Sequence, residues 1–254
     1  MPTDLELLRL DVEALWVTSA GGRMERVNAP DRSLAWKLFF AGCAEGNLVR
    51  VRHDIDDATA AKLLAICGGE PPWRDPWQLP QCIGKLLDVF SNSAPPATGA
   101  ASRIPMTVGT GVIYELPHCV KYAHPASIVR GESPSGAELV ARFTEMGMPR
   151  PMIDAGFTNV SDLWEPWCLA MEGEEVAAAA YAARHGRDGV EIGVHTFPKF
   201  RARGFGAAVT AAWSSLASLE GRALFYSTSR ANRSSQRVAA RLGLRLFAGS
   251  FGIG

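Results

Sequence analysis

The 254-residue chain contains no C-x-x-C pair; its five cysteines (Cys43, Cys67, Cys82, Cys119, Cys168) are widely spaced and odd in number. Such spacing indicates neither a zinc site nor a disulfide framework, and reduced, mostly buried thiols are expected, as in a cytosolic protein. There is no run of Lys or Arg. The 26 basic and 26 acidic residues cancel to a formal net charge of zero, so neither nucleic acid nor an anionic membrane is expected as a partner. No apolar segment approaches the roughly 20 residues that span a bilayer. The opening, MPTDLELLRLDVEALW, carries acids inside its apolar run and lacks the basic start of a signal peptide. Repeats and low-complexity tracts are missing, and so are the G-x-G-x-x-G fingerprint and the G-K-[ST] of a P-loop. His53, His118, His124 and His185 have no ligand spacing between them, so no metal is expected. These absences fit a cytoplasmic globular protein of one large or two small domains.

Read in order, the chain offers a helix at Leu5–Trp16 and strands at Leu34–Phe40 and Leu48–Val51, joined as a hairpin around Glu45-Gly46-Asn47. A short helix follows at Asp57–Cys67, capped by Asp56 or Asp57 and stopped at Gly68-Gly69. Trp73 and Trp77 stand in a Pro-rich stretch and serve either as packing staples or as a binding platform; a further helix covers Gln81–Phe90. Ser91–Arg103 is small, polar and Pro/Gly-bearing, a linker composition that places a boundary near residue 105. The expected domains are thus 1–105, a helical and hairpin subdomain, and 106–254.

Beyond the linker, Thr110–Leu116 reads as a strand, Ser135–Met146 as a helix, Met148–Ile153 as a loop and Trp164–Met171 as a strand. Glu175–Ala183 has helix propensity but sits between the turns Glu172-Gly173 and Arg187-Asp188-Gly189 at hairpin spacing, which argues for a strand. Ala223–Ser229 is strand-like. Asn232 opens a helix with Ser235, Val238, Ala239 and Leu242 on one face, and Leu244–Phe251 closes the chain as a strand.

The most informative stretch is Gly189–Trp213. Val190, Ile192 and Val194 alternate with Glu191, Gly193 and His195, so the two sets face opposite sides of a strand. Pro198 ends the ladder, and a turn bearing Arg201, Arg203, Gly204 and Gly206 follows. Phe205, Val209, Ala212, Trp213 and Leu216 then mark one face of a helix. A helix N-terminus with glycines and arginines suits a phosphate or pyrophosphate.

Arg201-x-x-Gly204-x-Gly206, preceded by Thr196-x-Pro198, resembles the acetyl-CoA signature of the GCN5-related N-acetyltransferases. Asn232-x-x-Ser235 followed by Arg241-Leu-Gly-Leu244 is similar to the second motif of that family, in the same order and at the same separation. The resemblance covers residues 110–254. It implies an α/β (α+β) fold with a mixed, mostly antiparallel central sheet flanked by helices, beside a smaller N-terminal α+β subdomain. It implies acetyl-CoA as co-substrate, held by Val194, Thr196, Arg201, Ala202, Arg203, Gly204, Phe205 and Gly206, with Asn232 and Ser235 beside it. Asn232 would reach the pantetheine or a neighbouring amide.

Two departures stand out. The family's Tyr, seven residues after that Asn, is Ala239 here, and only about ten residues follow Leu242 where the family has two strands. The final strand is then short, missing, or supplied by the N-terminal region or another subunit, which leaves a homodimer open. Glu191 matches the family's glutamate base, and His195 is the alternative; Tyr226, Ser227 and Ser229 are the candidates for the leaving thiolate's acid. The implied acceptor is a small-molecule primary amine near Pro117–His124 and Met146–Ile153, with Glu115, Glu145 or Asp154 as carboxylates for a cationic one. An aminoglycoside-type antibiotic, with resistance as the outcome, comes first. Polyamine, amino-acid and protein amines are alternatives, and so is a catalytically silent acyl-CoA sensor.

Overall fold

The computed structural model describes residues 2–92 and 106–254; residues 93–103 of the expected linker lie outside the described residues. The chain runs α1 (Asp4–Leu15), β1 (Trp16–Thr18), β2 (Met24–Val27), β3 (Leu38–Cys43), β4 (Gly46–Val51), α2 (Asp57–Gly68) and α3 (Ile83–Asn92). It continues through β5 (Val108–Glu115), β6 (Ser127–Arg130), α4 (Pro134–Met146), α5 (Arg150–Asp154), β7 (Trp167–Glu172), β8 (Glu175–His185) and β9 (Gly189–Thr196). α6 (Phe205–Trp213), β10 (Ala223–Ser229), α7 (Arg233–Arg241) and β11 (Arg245–Ile253) complete it. The strand pairings are mostly antiparallel and helices accompany them, the mixed α/β class expected. Two compact units form: Met1–Ile113 with Ser227–Ala231 and Leu246–Gly254, and Tyr114–Tyr226 with Asn232–Arg245.

In the first unit α1 opens on a reciprocal cap: Thr3 Oγ1 accepts the Glu6 N–H at 3.2 Å and Glu6 accepts the Thr3 N–H at 2.8 Å. The β3–β4 hairpin forms, but from Leu38↔Val51 to Cys43↔Gly46, with Ala44 and Glu45 as its tip. The expected start at Leu34 is thus too early, and that side chain is exposed. Asp56 Oδ1 caps α2 through the Thr59 N–H at 2.9 Å. β11 pairs antiparallel with β3 from Ala248↔Cys43 to Ile253↔Leu38. The chain's last strand is therefore completed by an N-terminal one. Phe40 and Phe251 stack 5.2 Å apart, and buried Trp73 lies against both, with Arg230 5.1 Å over its ring. Trp73 is a packing residue; Trp77 is exposed. The β1–β2 ribbon was not signalled by the sequence pattern.

In the second unit β6, β7, β8 and β9 pair in that order, all antiparallel, and β10 pairs parallel with β9. β8 is a strand despite its alanines, because β7 and β9 claim its backbone on both edges and Gly173 (φ 59°) turns the chain into it. Ala177 to Ala180 are fully buried. Small residues there let α6, itself FGAAVTAAW, pack close to β7, β8 and β9. Every α6 residue except Ala212 is buried, so the one-face reading of this helix was too narrow. Its one hydroxyl is satisfied inside the helix, Thr210 Oγ1 donating to the Gly206 carbonyl at 2.8 Å. Trp213 anchors the far end, fully buried, with Nε1 donating to the Pro166 carbonyl at 2.7 Å.

Other departures are local. β6 was not expected. Residues 150–154 of the expected loop form α5, which tolerates Pro151 because a first-turn N–H has no helical partner. β7 starts at Trp167, after Pro166. Among the described residues no helix is long and apolar enough to cross a membrane. All five thiols are free, and only Cys119 is exposed. Trp213→Ala is expected to lower unfolding free energy by about 3–5 kcal/mol in a urea titration, whereas Trp77→Ala should stay within about 0.5 kcal/mol.

Candidate active site

β9 divides the site. Val194 and Thr196 face the first turn of α6: a Cβ on Gly206 would lie 2.8 Å from Thr196 Oγ1 and 3.3 Å from Val238 of α7. Only glycine permits that approach. Glu191, Gly193 and His195 face the other way, where His195 meets Phe157 and Phe197 at 6.0 and 4.9 Å between ring centres. The alternation read from the sequence holds.

The parallel ladder of β9 with β10 comprises Gly189↔Ala223, Val190↔Leu224 and Glu191↔Phe225. β9 then runs on to Thr196, so within this unit residues 192–196 have a strand partner on the β8 edge alone. A short 3₁₀ turn (Pro198–Phe200) follows. Ala202 (φ 63°) and Gly204 (φ 97°) take left-handed backbone and aim the chain into α6. Gly204 is the N-cap and has no side chain to accept the first-turn N–H groups, which leaves them for a ligand. A Cβ on Gly204 would meet Tyr122 Oη at 2.9 Å and His124 at 3.0 Å. His124 also hydrogen-bonds the Arg203 carbonyl at 3.0 Å, so the loop before β6 braces the turn.

The three cations of the turn differ. Lys199 Nζ reaches both Glu175 oxygens at 2.7 and 2.8 Å. Arg203 forks onto Glu172, one arm at 2.9 Å, with its guanidinium 5.2 Å over Phe205. Arg201 donates only its Nε–H, to the Thr196 carbonyl at 3.3 Å, and has no carboxylate partner among the described residues. The sequence weighted Arg201 and Arg203 alike. Glu172, which separates them, was missed because its register with the turn is tertiary.

Asn232 is the N-cap of α7, its Oδ1 accepting the Ser235 N–H at 3.1 Å. Ser235 Oγ lies 2.6 Å from Tyr226 Oη, which also donates to the Ser235 carbonyl at 3.2 Å. Burial pushes the Tyr226 phenol up to about 12. Ala239, at the position of the family's Tyr, is fully buried.

Glu191 is 7 % exposed, not a solvated strand carboxylate. Desolvation pushes it up from 4.5 to about 7, opposed by the charge of Arg184, which stands opposite it in the β8–β9 ladder. Arg184 was missed too; counting the ladder back from the Arg187-Asp188-Gly189 turn would have found it. His195 is half-buried, and its Nε2 is buried with no hydrogen-bond partner among the described residues. Burial and, second, Arg201 push its pKa down, which keeps the imidazole neutral. Four strand residues, about 13 Å, separate Glu191 from His195 along the chain, so they do not share one proton directly.

A cavity of about 600 Å³ opens beside His195. α5 and its flanks line it with Pro149, Met152, Asp154 and Ala155; the β7–β8 turn adds Glu174, Glu175 and Val176; the chain after β9 adds Phe197, Phe200 and Arg201. Of the acceptor carboxylates considered, Asp154 is there. Glu115 is instead paired with Arg245 at 2.8 Å, and Glu145 is exposed and not in the lining.

No family model and no curated protein matches the chain. Among solved structures, a GCN5-related N-acetyltransferase from Kribbella flavida is 16 % identical over 99 % of this chain and 96 % of its own, with a TM-score of 0.44. One from Sphaerobacter thermophilus is 12 % identical over 90 % of this chain and 79 % of its own (TM-score 0.38). A GCN5-related N-acetyltransferase-like protein from Streptococcus suis is 15 % identical over 59 % and 63 % (TM-score 0.40). No residue role is carried over from any of them.

The raised Glu191 has a consequence for stability. Between about pH 4.5 and 7 the unfolded chain has lost a proton that the folded chain retains, so stability falls as pH rises through that window. Glu191→Gln removes the effect. Its stability relative to wild type should climb from pH 4.5 to 7.5 by up to about 3 kcal/mol in urea titrations; a flat difference would mean that Glu191 titrates in the folded protein as it does in the unfolded chain.

Proposed function

We propose that this chain is an acetyl-CoA-dependent N-acetyltransferase acting on a primary amine of a small molecule. The observation that carries the reading is the construction of β9. One face meets an uncapped helix N-terminus suited to a pyrophosphate, and the other presents two titratable groups. The two quoted motifs fall on the turn into α6 and on the start of α7, which supports the resemblance to the GCN5-related acetyltransferases.

Acetyl-CoA would supply a thioester carbonyl for an amine to attack. In this reading the first-turn N–H groups of α6 and Arg201 hold the pyrophosphate, while Val194 and Thr196 border the pantetheine arm. A backbone N–H between Val194 and Thr196 stabilises the developing oxyanion. A Lys-like amine is cationic at pH 7, and holding it neutral takes on the order of 4–5 kcal/mol. Glu191 removes the proton, directly or through a water; its value of about 7 suits a base near neutral pH. His195 is the second group on that face. Tyr226, whose hydroxyl meets Ser235 at the start of α7, is one candidate acid for the departing thiolate beside Ser227 and Ser229.

Free-thiol release from acetyl-CoA against a panel of amines tests this. Aminoglycosides, first by the resemblance and the route to antibiotic resistance, would be run with polyamines, amino acids and peptides. Glu191→Gln is expected to lower kcat by about 10²–10⁴-fold with acetyl-CoA affinity kept. In the wild type kcat/KM should rise through about pH 7. A limb below pH 6.5 would assign the base to His195 instead. Tight acetyl-CoA binding without turnover would favour a silent acyl-CoA sensor. Arg201→Ala should weaken acetyl-CoA by about 10-fold or more, and Arg203→Ala less, since Glu172 already occupies that guanidinium.

A further inference from the structure

The walls of the cavity beside His195 are chemically one-sided. Met152 is fully buried, Phe197 and Phe200 nearly so, and Pro149, Pro151 and Val176 continue the apolar surface. The polar contributions are Asp154, Glu174, Glu175, His195, Lys199 and Arg201, whose charges largely cancel. Lys199 and Glu175 neutralise one another, and Arg150 reaches Asp154 from outside the lining. Glu174 has no cationic partner and Arg201 no carboxylate partner among the described residues, so these two lining charges are opposite and unpaired. The volume, about 600 Å³, is that of a small-molecule site.

We propose that this cavity receives the acceptor, and that the acceptor is a monoamine with an aliphatic or aromatic body. The inference rests on the transferase reading for the word acceptor, but the cavity's preference stands on its walls alone. The apolar body lies against Met152, Val176, Phe197 and Phe200. The amine lies toward His195, the β9 residue that lines the cavity. Glu174 is the carboxylate left to face an ammonium, while Asp154 is already paired with Arg150 and Arg201 adds a cation to the same lining. A polyhydroxylated or polycationic amine fits these walls poorly, because its hydroxyl and ammonium groups would leave water without partners among proline, methionine and phenylalanine. This sets the aminoglycoside and polyamine classes behind a lipophilic amine.

The n-alkylamines from propyl to octyl share nearly the same basicity and differ only in apolar area. Calorimetry of each, without CoA, therefore reads the cavity alone. Affinity should rise about fourfold per methylene until the cavity is full, with 2-phenylethylamine above butylamine, and kanamycin and spermidine at least tenfold weaker than hexylamine. Ala155→Phe, which projects a ring into the space from the end of α5, should abolish the chain-length dependence. Glu174→Lys, on an exposed turn, should weaken all the amines severalfold without changing that dependence. A flat series, or tighter binding of kanamycin or spermidine, overturns the proposal even when acetyl-CoA binds normally. A graded series in a protein that does not bind acetyl-CoA supports the cavity assignment while removing the transferase reading.

Discussion

The close packing of α6 against β7, β8 and β9 is the constraint on which the candidate site depends. A helix made largely of small residues lies on a strand of alanines, and the near-complete burial of both leaves little room for displacement. Gly206 then brings the first turn within reach of Thr196 and Val238. The uncapped N–H groups are held at a defined place beside the end of β9, rather than on a mobile loop. A ligand phosphate would meet donors already oriented, with little ordering left to do on binding.

Charge is distributed around that turn with the same economy. Three basic side chains look equivalent in sequence, yet two are taken by Glu172 and Glu175, and one is left over. The ion pairs are exposed and contribute little to stability individually. Their effect is selective: they remove Lys199 and Arg203 from competition for a ligand and tie the turn to the β7–β8 hairpin. On the opposite face of β9 burial is the largest cause, opposed at Glu191 by Arg184 and assisted at His195 by Arg201. It holds a carboxyl near neutral pH and an imidazole in its uncharged form, the two states in which each can take up a proton.

The N-terminal region has a structural part that the sequence offers as one of several alternatives. β3 lies beside β11, and Phe40, Trp73 and Phe251 close a core drawn from both ends of the chain. β11 thus finds an antiparallel partner in β3, which pairs in turn with β4. Trp73, in a Pro-rich segment that has no regular structure, is recruited as a wall of that core.

Local rules determined much of this protein before any tertiary contact was considered. The flanking turns mark Glu175–Ala183 as a strand against its helix propensity, and the caps at Asp56 (one of the two candidates) and Asn232, the two faces of β9 and the turn before α6 follow from spacing and turn residues. So did Glu191 and His195 as a pair on one face. What the tertiary structure alone decided concerns environment. Burial of Glu191, opposition by Arg184, the locking of Arg203 by Glu172, and the apolar walls beside His195 each join residues distant in the chain. Periodicity reports which side of an element a residue faces. It cannot report what covers that side, and a pKa or a ligand preference is set by the cover.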